Sequence, residues 1–149
     1  MAVQEIDVRS RSAAAPAAVW RLLGDSETWP DWTPIDEAEI GRRAGADGTG
    51  EIRSFKIGRV TVREEIVERA ENRRLTYVLL GGLAVKDYRA EIDLEPDDGG
   101  TAIRWHTTFR GKVPGTGWLY RRALDRITRE FVDGLIAHSS AGQALPPGH

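Results

Sequence analysis

The chain has 149 residues, the size of one ordinary globular domain. Its 21 basic and 23 acidic side chains leave a net charge of −2, so the overall charge gives no reason to bind nucleic acid or an anionic membrane. The chain has no cysteine and only three histidines, which are far apart, and this composition excludes disulfides and thiolate nucleophiles and disfavours any metal site.

The first third of the chain carries weak strand signals and one short helix. Residues 3–10, 35–42 and 50–57 fit strands. Pro16 suits the first turn of a helix, which we expect to end at Gly24. We therefore predict a strand, a short helix and two further strands in this region.

Alternation of apolar and polar residues dominates the middle of the chain. It covers residues 60–66, 74–79, 87–94 and 103–110, with glycine, proline and aspartate between them. Each of these strands has one apolar face, and the short connections indicate antiparallel neighbours. The sequence thus predicts about seven strands in all.

A long amphipathic helix is predicted to follow, with Thr116 as its N-cap. One face at helical spacing carries Tyr120, Leu124, Ile127, Phe131, Leu135 and His138. We predict a single domain over residues 1–140 and a disordered tail over residues 141–149, which has glycines, two prolines and no periodicity.

These elements predict an α+β fold, in which a curved antiparallel sheet wraps around the C-terminal helix. The apolar face of the sheet and the apolar stripe of the helix would then cover each other. A strongly curved sheet with one helix across it leaves interior space, so we expect a cavity for a small molecule between them.

Several motifs resemble the START-like, or helix-grip (SRPBCC), superfamily, and within it the bacterial polyketide cyclase/dehydrase and lipid-transport group. They are Ala-Pro-Ala-Ala-Val-Trp at 15–20, Trp-Pro-Asp-Trp-Thr-Pro at 29–34, and Gly-Gly-Thr-Ala-Ile-Arg-Trp at 99–105. The resemblance covers roughly residues 3–138. It implies the helix-grip fold, with enzymes and lipid carriers built on one frame.

Within this group, the aromatase/cyclases provide two cavity-facing positions with which this sequence can be compared. These carry an arginine in the strand after the central hairpin and a tyrosine soon after the Trp-Pro motif, both directed into the cavity. Here Val67 stands near the first position and Asp36 near the second. Neither expected residue is present, and this weakens a transfer of the aromatase mechanism to this chain. Asp36, which stands where the resemblance places the tyrosine, is the candidate ligand contact there.

Glu64 breaks the local pattern of its strand. It shares the face of Val60, Val62 and Ile66, while Arg63 and Glu65 occupy the opposite face. A carboxylate inside the fold would have a raised pKa and could act as a general acid or base, so Glu64 is the candidate catalytic residue. The alternative is a β-bulge that shifts the register, or a strand end where Glu64 reaches water.

Aromatic residues and one arginine complete the candidate ligand contacts. Tyr77, Tyr88 and Trp105 lie on the apolar faces of three successive strands, where rings either orient a planar ligand or simply form core. Arg53 has an ambiguous facing but could pair with Glu64. Phe131 on the helix stripe and Trp32 at one end of the interior are the remaining predicted contacts.

Two functions remain open at this point, with a third class behind them. The first is binding of a small apolar molecule that is aromatic, polyketide-like or lipid-like. The second is a cyclase or dehydratase that uses an interior acid or base, and the third is a ligand-free interaction module. We predict no cofactor and no metal, no nucleic acid, no membrane insertion, a cytoplasmic location and a monomer or homodimer.

Overall fold

A computed structural model describes residues 2–144. The elements in chain order are β1 (Val3–Ser12), α1 (Pro16–Leu23), a 3-10 turn (Ser26–Thr28), α2 (Trp29–Trp32), β2 (Glu37–Arg42), β3 (Ile52–Ile57), β4 (Val60–Ala70), β5 (Arg74–Gly81), β6 (Val85–Asp97), β7 (Gly100–Gly111) and α3 (Gly117–Ala144). The predicted strands and helices are all present, and β1, β4, β5, β6 and β7 extend by one to four residues beyond their predicted ends.

The strands form one antiparallel sheet in the order β1-β7-β6-β5-β4-β3-β2. Consecutive strands from β2 to β7 are neighbours because the connections between them return the chain beside itself, and the first strand, β1, pairs with the last, β7. Helix α3 packs against β1, β7, α1 and α2 and stands off from the central strands β4 and β5. The predicted helix-grip fold is confirmed, and the interior has its open space on the β4–β5 side.

Two bulges interrupt the ladder between β4 and β5, and only the second changes the facing of side chains on β4. The first places Leu80 of β5 as the extra residue, because Arg63 pairs with Gly81 and Glu64 with Leu79. The second places Val67 of β4 as the extra residue, because Ile66 pairs with Tyr77 and Glu68 with Thr76. Alternation on β4 is therefore intact through Ile66 and is reversed after Val67.

Helix α3 begins one residue after the predicted cap and is held against α2 at Gly134. A Cβ atom at this position would lie 1.7 Å from the carbonyl oxygen of Trp32. Only glycine allows the two backbones to come this close.

The C-terminal end of the helix differs from the prediction. His138 is exposed, and Ser139 takes the inward position, where its Oγ lies 2.7 Å from Ser12 Oγ on β1. The stripe drifts because a period of 3.6 does not keep residues spaced by three and four in line over many turns. The helix includes residues 141–144, and the rest of the predicted disordered tail lies outside the described residues.

Candidate functional site

A cavity of about 260 Å³ lies between the inner face of β3–β6 and the N-terminal half of α3. Val60 and Ala123 are exposed and line it, so they mark its mouth. The wall is mostly aliphatic and aromatic, and its polar groups belong to Glu64, Tyr77, Tyr88, Tyr120 and Thr128. A concave apolar space with a few polar groups is typical of small-molecule sites.

Glu64 projects into the interior directly opposite Arg53 in the β3–β4 ladder. Arg53 Nε donates to Glu64 Oε1 at 3.0 Å, and the glutamate is only 7 % exposed. Burial raises the pKa of the Glu64 carboxyl, and the guanidinium of Arg53 only partly opposes that rise. Among residues 2–144, Oε2 of Glu64 has no hydrogen-bond partner and is not fully buried, so it is the oxygen that a ligand could use.

Arg53 is fully buried and lies behind Glu64 rather than in the cavity wall. The centre of its guanidinium is 4.1 Å from the ring centroid of Trp29, 4.5 Å from Phe55 and 4.7 Å from Tyr77. These rings favour a cation electrostatically. Among residues 2–144, Nη2 has no hydrogen-bond partner, while Nη1 donates to Ser26 Oγ at 3.0 Å.

The hydrogen bonds continue beyond Arg53. Ser26 Oγ donates to Glu51 Oε2 at 2.5 Å, and Glu51 Oε1 lies 3.7 Å from Arg69 Nη2. Arg69 also donates to the carbonyl oxygens of Gly24 and Gly48. Glu64 is therefore one end of a line of polar side chains with alternating charge.

Tyr77 and Tyr88 form the aromatic wall beside Glu64. Their ring centroids are 6.4 Å apart, and Tyr88 lies 6.1 Å from Phe109. Burial, together with the nearby Glu64 carboxylate, raises the pKa of both phenols above the ordinary value of 10. The two hydroxyls therefore stay neutral and can serve as hydrogen-bonding groups but not as bases.

The other end of the interior is filled by tryptophan. Trp29 lies 4.8 Å from Trp32, 5.6 Å from Trp105 and 5.9 Å from Phe131, measured between ring centroids. The indole of Trp29 donates to the carbonyl of Leu23, and that of Trp32 donates to Thr28 Oγ1. We name this region, formed by Trp29, Trp32 and Trp105, the closed end.

The structure brings some of the predicted site residues together and separates others. Glu64, Tyr77, Tyr88 and Phe131 line the cavity. The other four predicted contacts do not line it: Arg53 is behind the wall, Trp32 and Trp105 are in the closed end, and Asp36 is exposed.

Asp36 has a structural reason for its place outside the cavity. Its Oδ2 accepts from the backbone N–H of Gly58 at 2.7 Å, and its own N–H donates to the carbonyl of Lys56. The carboxylate thus holds the β3–β4 turn, and this finding corrects its prediction as a cavity residue.

A larger groove of about 620 Å³ lies on the outer face of the sheet, where charged side chains line it. Three of its four arginines have carboxylate partners: Arg74 Nε bonds Asp93, Arg104 Nη2 lies 2.9 Å from Asp7 Oδ2, and Arg9 lies 3.4 Å from the same carboxylate. Because these guanidiniums have carboxylate partners, the inner cavity is the stronger candidate site.

Sequence reasoning did not single out Ser26, Glu51 or Arg69. Ser26 and Glu51 lie outside the strongly alternating strands, so no periodicity assigns them a face. Arg69 lies on the inner face with Leu75 only because the Val67 bulge reverses the alternation of β4. No local signal in the sequence marks that bulge.

Comparison with known proteins supports the fold. The chain is 18% identical to the protein XoxI from Bacillus cereus, with a TM-score of 0.79 and coverage of 95% of this chain and 99% of that one. It is 16% identical to a START superfamily protein from Mycobacterium smegmatis, with a TM-score of 0.79 and coverage of 93% and 98%.

A third similar structure is the di-domain ARO/CYC StfQ from the steffimycin biosynthetic pathway. The identity is 14% and the TM-score 0.81, over 96% of this chain and 52% of that one. Among curated protein sequences, none matches this chain significantly. At such low identities the structural likenesses show the fold alone.

No helix within residues 2–144 is both long and apolar enough to cross a bilayer. The family model described as polyketide cyclase/dehydrase and lipid transport matches residues 3–139, nearly the whole chain. Together with the seven-stranded sheet, the long α3 and the apolar cavity between them, this match shows that the chain belongs to the polyketide cyclase/dehydrase and lipid transport family.

Proposed function

We propose that the protein binds a compact, neutral, mainly apolar molecule in the cavity and holds it by one hydrogen bond to Glu64. The observation that carries this proposal is a buried carboxylate with one oxygen, Oε2, that faces an otherwise apolar cavity without a protein partner. A ligand hydroxyl that donates to this oxygen would form a charge-assisted hydrogen bond, which is stronger than a hydrogen bond between two neutral groups.

The size of the cavity limits the ligand. An apolar cavity of about 150 Å³ holds one benzene ring, and this cavity measures about 260 Å³. A molecule of one or two rings therefore fits best. A ligand with an extended chain would need the mouth at Val60 and Ala123 to lie open around its remainder.

Charge limits the ligand as well. Glu64 and Arg53 already form a neutral pair, so a carboxylate ligand near Oε2 would add an uncompensated negative charge to a buried site. A neutral hydroxyl or enol would instead donate to Oε2, with the rings of Tyr77 and Tyr88 beside it. We therefore expect neutral ligands to bind more tightly than acids of the same shape.

Calorimetric titration with 2-naphthol and with 2-naphthoate tests this proposal. We expect 2-naphthol to bind more tightly than 2-naphthoate at neutral pH. The variant Leu124→Trp, which fills the cavity, should abolish binding, and the matched control Leu119→Trp, on an exposed position of the same helix, should not. Binding of 2-naphthol that survives Leu124→Trp unchanged would contradict the proposal.

A second candidate function is catalysis by Glu64. The raised pKa of its carboxyl suits a group that takes a proton from a carbon next to a carbonyl and then returns it. The bicyclic ketone 2-tetralone offers such protons, and their exchange in D2O is measured by NMR. We expect protein-catalysed exchange that Glu64→Gln removes while 2-tetralone still binds. Exchange no faster than in buffer would leave binding as the function.

A further inference from the structure

Glu64 belongs to a line of charges that runs from the cavity wall across the interior. Its Oε1 bonds Arg53, Arg53 Nη1 bonds Ser26 Oγ, and Ser26 bonds Glu51. Glu51 in turn lies 3.7 Å from Arg69. Arg53 thus has two carboxylate neighbours, one in direct contact and one separated from it by a single hydroxyl group.

The second carboxylate matters when Glu64 takes up a proton. Arg53 is 0 % exposed, and a protonated Glu64 would no longer balance its charge. An unpaired buried cation is strongly destabilising. The Glu51 carboxylate lies on the other side of Ser26, and the faces of Trp29, Phe55 and Tyr77 cover the guanidinium. Glu51 is therefore a second counter-ion for Arg53 when Glu64 is protonated.

We propose that Ser26 and Glu51 form a second counter-ion arm for Arg53, which holds the guanidinium in place while Glu64 gains and loses a proton at the cavity wall. This role rests on the proposed function of Glu64. Neither Ser26 nor Glu51 lines the cavity, so both are positioning residues that act through Arg53.

The charge of Glu51 also affects the ionisation of Glu64. While Glu51 is charged, Arg53 divides its attraction between two carboxylates, and Glu51 also repels the ionised form of Glu64. Removing the charge of Glu51 leaves Arg53 to Glu64 alone, which favours the ionised form and lowers the pKa of Glu64. The other groups that face Glu64 stay as they are: Tyr77 from β5, Tyr88 from β6, and Tyr120 and Thr128 from α3.

The decisive variant is Glu51→Gln, because its side-chain oxygen can still accept from Ser26 and Arg69 keeps the carbonyls of Gly24 and Gly48. The carboxyl carbon of Glu64 is titrated by NMR in the ligand-free protein, and Glu64→Gln identifies its signal. We expect the pKa of Glu64 to move downward in Glu51→Gln.

The matched control is Glu65→Gln. Glu65 adjoins Glu64 in the chain but faces outward, where it pairs with Arg42 at 3.5 Å in a half-exposed setting. Water screens this charge, so we expect no comparable shift. A pKa of Glu64 that moves no further in Glu51→Gln than in Glu65→Gln, or that moves upward, would overturn the proposal.

Ser26→Ala tests whether the arm acts through the hydroxyl. We expect Glu51→Gln to shift the pKa of Glu64 less in the Ser26→Ala background than in the wild type. Equal shifts in both backgrounds would show that Ser26 is not part of the arm. If Ser26→Ala does not fold, the comparison of Glu51→Gln with Glu65→Gln decides alone.

The titration and the binding experiment fail independently. If 2-naphthol does not bind but Glu51→Gln still shifts the pKa of Glu64, the proposed function is wrong and the arm stands. If 2-naphthol binds and the pKa does not move, the arm is wrong and the proposed function stands.

Discussion

The two ends of the interior are built by the same sheet and the same helix, yet one is solid and the other is hollow. At the closed end, α2 inserts Trp29 and Trp32 between the sheet and α3. At the cavity end, no segment of residues 2–144 enters in a comparable way, and residues such as Val60 and Leu83 border open space. The helix-grip frame by itself leaves room for a ligand, and the segment between β1 and β2 decides which part of that room is filled.

The largest expected effect comes from emptying the closed end. Trp29 is fully buried among five other aromatic rings, so Trp29→Ala should lower the free energy of unfolding by about 3–5 kcal/mol. Denaturant unfolding measures the change. Trp118→Ala, at a half-exposed position of α3, is the control and should cost below about 0.5 kcal/mol. Similar losses of unfolding free energy in both variants would show that Trp29 is no better packed than an exposed tryptophan.

The contact between α2 and α3 can be broken without removing any side chain. Gly134→Ala should lower the free energy of unfolding by about 3 kcal/mol, because the added methyl group meets the carbonyl of Trp32 and forces the helix away. At a free helical position the same change would instead stabilise by about 1 kcal/mol. A stabilised Gly134→Ala variant in thermal or denaturant melts would contradict the close packing.

Phe131 separates the two ends, since it contacts Trp29 and Trp105 and also lines the cavity. It is only half-buried, so Phe131→Ala should cost about 2 kcal/mol rather than the full value for a core phenylalanine. The fully buried Phe109 provides the comparison, and Phe109→Ala should cost more. A larger loss for Phe131→Ala would mean that the cavity is better packed than its volume indicates.

The smallest effect concerns the pH dependence of stability. The folded protein raises the pKa of the Glu64 carboxyl above 4.5, so this group's contribution to stability is fully present below pH 4.5 and is lost as the pH rises through the raised pKa. Relative to Glu64→Gln, the wild type should therefore lose stability across that window. Denaturant melts of both proteins at several pH values measure the difference, and parallel curves would show that the pKa is not raised.

Sequence patterns predicted the frame and one central residue of the site. Alternation identified the main strands because each has one wet and one dry face. Glu64 was predicted inward from Val62 and Ile66, and a bulge does occur beside it. The extra residue of that bulge is Leu80 on β5, so the facing of β4 is unchanged there.

The rest of the site depends on contacts between distant segments. Ser26, Glu51 and Arg53 meet only once the turn after α1 packs on β3. Whether the aromatic residues on the inner face of the sheet are packed or line a cavity depends on where α2 lies. The periodicity of the strands carries no information about the position of α2. Trp105 and Tyr77 therefore have the same sequence signature, although one is in the closed end and the other is in the cavity wall.

The contact at Gly134 also restricts how the cavity can change its size. If α3 moved by one residue along its helical screw, with rotation and translation together, Asp133 or Leu135 would bring a Cβ atom against the carbonyl of Trp32, where only a hydrogen fits. The C-terminal half of α3 is therefore fixed against α2 at Gly134. If α3 moves to widen the cavity, we expect its N-terminal half, which carries Tyr120, Ala123 and Leu124, to rotate outward about Gly134. The mouth of the cavity would then move most, and the tryptophans of the closed end would move least.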